Sequence, residues 1–110
     1  MDRKKISKKI IRVVQAYGKR LANEEKLPID KVIVFGSQAK GKPRYWSDID
    51  VCIISSKFKN GFEALQFLWA RRNEQDVKAH IEPVGFSKRD FNEGSSLIQE
   101  IKKTGVEVKI

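Results

Sequence analysis

Two aspartates, Asp48 and Asp50, stand in a segment otherwise made of Ile49, Val51, Cys52, Ile53 and Ile54. In an extended strand, residues two apart project from the same face with their Cβ atoms about 6.5–7 Å apart. Bare carboxylates at that spacing repel, and an apolar strand tolerates them most easily when divalent cations neutralise them. Ile49, Val51 and Ile53 supply the opposite face to a core, which turns the carboxylates toward a cleft. Upstream, Gly36-Ser37 closes a short apolar run at Phe35. If a strand ends at Gly36 and a helical turn opens at Ser37, the amides of that turn attract phosphate, and glycine lets a ligand approach the backbone. Each feature alone is ordinary: Gly-Ser also serves as a plain turn, and Asp48 and Asp50 as a turn residue and a surface carboxylate. Together they set phosphate-binding amides and two carboxylates across one loop.

The surrounding elements must hold that arrangement. Ile6, Ile10, Val13, Val14, Tyr17 and Leu21 recur at intervals of three and four, which predicts a helix over 5–27 stopped by Pro28. Residues 31–35 and 48–55 read as strands, with a helical turn and loop over 37–47 between them. Leu65, Leu68, Trp69 and Arg72 predict a helix over 64–72, bounded near Gly61. A third strand spans 80–86, and Pro83, which has no N–H for a ladder, puts it at an edge or makes its pairing irregular. Ser96 with Gln99 resembles a capping box opening a helix that Gly105 stops, and 106–110 forms a short last strand. These readings make a single α/β unit over 1–110.

Composition sets bounds on function. The chain has 110 residues and a formal net charge of +9, which attracts polyanions: nucleotides, RNA or an acidic protein. Arg3, Lys4, Lys5, Lys8, Lys9, Arg12, Lys19 and Arg20 crowd the first helix, where they form either a solvated face or a nucleic-acid contact. The one cysteine, Cys52, excludes an internal disulfide and a cysteine-based zinc site, and reads as a buried apolar side chain. No apolar stretch is long enough to span a bilayer or to form a signal peptide, so the expected location is cytoplasmic, with no membrane contact.

The segment Phe35-Gly36-Ser37-Gln38-Ala39-Lys40-Gly41, continued by Ser47-Asp48-Ile49-Asp50-Val51, resembles the nucleotidyltransferase superfamily of the DNA polymerase beta type, and in particular its minimal nucleotidyltransferase branch. The preceding helix and the closing 100–106 match that branch's layout, so the resemblance extends over nearly the whole chain. It implies the polymerase beta-like nucleotidyltransferase fold, a small mixed sheet flanked by helices, and a reaction in which a hydroxyl displaces pyrophosphate from a nucleoside triphosphate, with two magnesium ions. Asp48 and Asp50 would then be catalytic metal ligands, and Gly36, Ser37, Lys40 and Ser47 nucleotide-binding residues. The family's third carboxylate, usually Asp, falls on Glu82, a departure whose longer side chain either reaches a metal or leaves one ion weakly held. His80 shares that strand face but is not counted as a ligand. Tyr45 and Trp46 suit either base stacking or a cover over the core.

The same resemblance implies that AMP from ATP is transferred to a partner macromolecule, and that the chain is the antitoxin of a toxin–antitoxin pair, adenylylating a helical HEPN-type ribonuclease toxin. Two alternatives stand beside it. One is an antitoxin of the same fold that neutralises by contact alone. The other is an RNA-binding protein that adds nucleotides to tRNA through the basic first helix, with salt-sensitive affinity. Homo- and hetero-oligomers are both compatible with the sequence.

Overall fold

The computed structural model describes residues 6–40 and 48–110. Arg3, Lys4 and Lys5 lie outside the described residues, as do Ser47, Tyr45, Trp46 and most of the expected 37–47 loop.

Helix α1 (Lys8–Glu24) starts where the Ser7 side chain accepts the Ile10 N–H, and buries Val14, Tyr17, Gly18 and Leu21 along one face. It ends before the proline expected to stop it. Lys26 takes a left-handed backbone (φ 56°) and the Leu27 N–H reaches back to the Leu21 carbonyl at 3.1 Å. That six-residue closure satisfies a terminal carbonyl, so Pro28 only follows a helix already finished.

Strands β1 (Lys31–Phe35), β2 (Ile49–Ile54), β3 (Ile81–Phe86) and β4 (Val106–Glu107) form a sheet of order β3-β2-β1-β4. β1 is antiparallel to β2 and β4, whereas β2 and β3 run parallel. The sheet is therefore mixed, and the Pro83 strand lies at its edge as expected. Helices α2 (Gly61–Ala70), α3 (Glu74–Lys78), α4 (Lys88–Glu93) and α5 (Ser96–Thr104) complete the described elements. The α5 cap is Ser95, one residue before the expected Ser96; its side chain accepts the Ile98 N–H.

Both faces of the sheet are covered. Val32, Val34, Val51 and Ile53 pack against Val14, Tyr17 and Leu21 of α1 and Ala64 and Leu68 of α2. Ile33, Phe35, Cys52 and Ile54 form a second core with Phe91 of α4 and Ile98 and Ile101 of α5. Cys52 is fully buried, and burial pushes its thiol pKa up to about 12, which keeps it an inert thiol.

Two helices escaped the periodicity reading because five or six residues are too few to display an apolar stripe. Their caps were nonetheless written in the sequence. Asn73 and Asp76 form a reciprocal capping box on α3, and the Ser87 side chain accepts the Asp90 N–H at α4. No helix of the described residues is long and apolar enough to cross a membrane.

Candidate active site

β1 runs out into Gly36 at the same end of the sheet where β2 and β3 begin. The registers pair Phe35 with Asp50 and Asp50 with Glu82. Asp50 and Glu82 thus sit on adjacent strands, about 4.8 Å apart, and share the face that farther along carries Cys52, Ile54, Val84 and Phe86 into the second core. That face is covered by α4 and α5 over most of its length; Asp50 and Glu82, both half-buried, form its polar end, with Asp48 exposed beyond them.

Gly36 is needed here for two reasons. Its φ is +72°, which side-chain-bearing residues rarely adopt, and a Cβ at this position would collide with the Asp50 carboxylate. The backbone and an aspartate approach each other only because the side chain is missing. Residues 36–40 then form a turn closed by the Lys40 N–H on the Gly36 carbonyl at 3.1 Å, the single helical turn expected after the strand. Ser37 is half-buried in this turn, while Gln38 and Ala39 are buried.

The three carboxylates act on one another. Burial first, and then the charge of Asp48, raises the pKa of Asp50 above its ordinary 3.8. Glu82 is raised above 4.5 by desolvation, by the charges of Asp48 and Asp50, and by a hydrogen bond in which its protonated carboxyl donates to Asp48; the positive charge of Arg72 opposes this. Among the described residues, the site therefore holds more negative charge than its cations offset. Among the described residues, no three His, Cys, Asp or Glu side chains converge as a ready-made metal cage. The donors nonetheless fit a hard divalent ion: they are carboxylate oxygens from adjacent positions, and their mutual repulsion is what such an ion would relieve.

Two neighbours were given no role by the sequence. His80 has a left-handed backbone (φ 62°), its carbonyl accepts the Ile49 N–H at 2.8 Å between the two aspartates, and its Nδ1 lies 3.8 Å from Asp48 Oδ1. Its spacing of two from Glu82 was the available signal. Arg72 lies near Glu82 through a helix-to-strand approach that no sequence spacing announces. Lys40, expected at the triphosphate, is paired instead with Glu100 of α5 at 3.3 Å, with both side chains about half exposed. Arg20, counted in the basic run, is tied to the buried Asp76 and to the Arg71 carbonyl.

The sequence profile of the nucleotidyltransferase domain family matches residues 18–109. The chain belongs to that family. No curated protein matches the sequence. The nucleotidyltransferase domain superposes on the crystal structure of a Sulfolobus solfataricus protein assigned as a nucleotidyltransferase, with a TM-score of 0.64 and 16% identity over 90% of this chain and 78% of that one. It also superposes on a chain from a toxin–antitoxin structure with AMP-PNP, with a TM-score of 0.55 and 17% identity, covering 86% and 72%. At such identities the likeness shows the fold: a mixed sheet between helices, as the sequence resemblance implied. The family match carries in addition the general character of a nucleotidyltransferase.

Proposed function

We propose that this single domain transfers a nucleotide, AMP from ATP, to a hydroxyl of a partner protein. The observation that carries this reading is that Asp50 and Glu82 lie side by side on adjacent strands, with Asp48 just beyond them, at the sheet end where Gly36 turns the backbone past Asp50. Asp48, Asp50 and Glu82 would hold the metal, with two magnesium ions as the expected complement. Magnesium, when bound, supplies charge neutralisation for the triphosphate and lowers the pKa of the attacking hydroxyl.

The chain's own contribution is mainly positional. The 36–40 turn offers backbone amides to the phosphates beside the Ser37 hydroxyl, and the absence of a side chain at Gly36 permits the close approach. Asp50 is held on Gly36 and between the neighbouring strands, so its carboxylate is preorganised rather than swept through solvent. Glu82, on the edge strand, takes the side from which the acceptor arrives. Lys40 reaches the triphosphate by exchanging Glu100 for phosphate, which costs little because an exposed ion pair is worth about 0–1 kcal/mol. Ser47, outside the described residues, remains a further hydroxyl candidate.

A protein acceptor is supported by the structural neighbour in a toxin–antitoxin assembly with AMP-PNP; the partner proposed here is a HEPN-type toxin, met in the cytoplasm. The test is to mix the purified chain with labelled ATP, magnesium and a HEPN-type toxin from the same genome. Label should appear on the toxin and vanish with Asp48→Ala. A tight complex without label would overturn catalysis in favour of inhibition by contact.

A further inference from the structure

Glu82 lies between two carbonyls that face away from the sheet. In the parallel pairing with β2, the His80 carbonyl is turned inward onto the Ile49 N–H, so the Ile81 and Pro83 carbonyls point outward from the edge strand. Both are taken by side chains from the end of α2 and the residues just after it. Arg72 Nη1 donates to the Ile81 carbonyl at 3.2 Å, and Trp69 Nε1 donates to the Pro83 carbonyl at 2.8 Å. The two donors also hold each other, since the Arg72 guanidinium lies 4.0 Å from the centroid of the Trp69 ring. Pro83 has no N–H that could recruit another strand in their place.

The geometry points to Trp69 and Arg72 as a pair of positioning residues that clamp the β3 backbone on either side of Glu82 and so set the third carboxylate against Asp48 and Asp50. This rests on the proposed role of Glu82 in the metal site. An edge strand paired on one side only is the least constrained place in the sheet for a ligand, and the clamp replaces the missing neighbour. It also bears on the Asp-to-Glu departure, because a longer side chain gains an extra rotatable bond and depends more on a fixed backbone origin. Arg71 provides the contrast: it stacks on Phe67 at 3.8 Å and pairs with Glu25 at 2.9 Å, with no bond to β3.

The test is Mn²⁺ affinity, by calorimetry on the full chain, with melting temperature recorded alongside. Variants are Trp69→Phe, which keeps the ring and loses the donor, Arg72→Lys, which keeps the charge and loses the fork, and Arg71→Lys as control. Each of the first two should weaken Mn²⁺ binding about tenfold, as loss of a group orienting a ligand does, while the control does not. In a Glu82→Gln background the same substitutions should have no further effect on affinity, because the residue through which they act is gone. Equal losses in both backgrounds, or losses that simply track melting temperature, would mean a purely structural role and overturn the clamp. If Glu82→Gln weakens binding but Trp69→Phe and Arg72→Lys do not, the clamp fails and the metal role stands. If Glu82→Gln itself leaves affinity unchanged, the metal role of Glu82 fails and the clamp falls with it.

Discussion

Asp50 carries two opposing demands. Its carboxylate, pressed on Gly36 and beside Asp48, is unfavourable as an anion until a cation arrives. The sign of the pH effect follows. Because Asp50 and Glu82 have folded pKa values raised above the ordinary 3.8 and 4.5, the stability they contribute is fully present below those values and lost as pH rises through the raised ones. The metal-free protein should therefore lose this pair's contribution as pH rises from below 3.8 through the raised values, and Asp50→Asn should flatten that part of the profile, measured by melting temperature in chelator. The same substitution should cut nucleotide transfer by about 10³-fold, equivalent to about 4 kcal/mol of transition-state stabilisation. Glu100→Gln belongs to this scale too. Freeing Lys40 from its 3.3 Å partner should lower KM for ATP by about threefold with little change in kcat, in keeping with the small worth of an exposed pair.

Among the elements, the approach of α2 to the edge strand matters most. A Cβ at Gly85 would come within 2.7–2.9 Å of Phe58, Ala64 and Leu68, so the helix lies on β3 only because that residue has no side chain. Gly85→Ala should destabilise the fold by about 1–3 kcal/mol, read as a shifted denaturation midpoint. It should also loosen Trp69 and Arg72 from their carbonyls, which links packing to the site. Tyr17 ties α1 to the same helix: its hydroxyl donates to the Leu68 carbonyl at 2.8 Å, and burial holds its pKa far above the ordinary range. Much of this scale was legible in advance. The runs at 31–35 and 80–86 alternate or cluster apolar residues clearly enough to give the strands, and Pro83 announced the edge. The short α3 and α4 were legible only through Asn73-Asp76 and Ser87-Asp90, because caps survive in helices too brief for periodicity.

For the whole molecule, the net charge of +9 sets how a partner arrives rather than what is done to it. Lys8, Lys9, Arg12 and Lys19 remain on the exposed or half-exposed surface of α1, while Arg20 is held by Asp76. Association with an acidic partner should slow as salt is raised from about 0.05 to 0.5 M, with dissociation nearly unchanged, because screening shortens the reach of exposed charge. Stopped-flow rates at several salt concentrations check this, and a dissociation rate that carries the whole salt effect would refute charge steering.

The sequence by itself determined the chemistry on offer: a glycine turn and an aspartate pair on an apolar strand are written in local spacing and residue type, and the family resemblance pointed to Glu82 as a third acid. It also determined the strands, since short β-branched and aromatic runs bounded by glycine or polar residues mark them without knowledge of what packs above. Only the tertiary structure decided which distant groups act together. Strand pairing placed Glu82 beside Asp50, helix packing brought Trp69 and Arg72 onto β3, and α5 supplied Glu100 to Lys40. Those contacts join residues far apart in the chain, and pairing register and helix approach follow from the fit of whole surfaces, which no local pattern encodes.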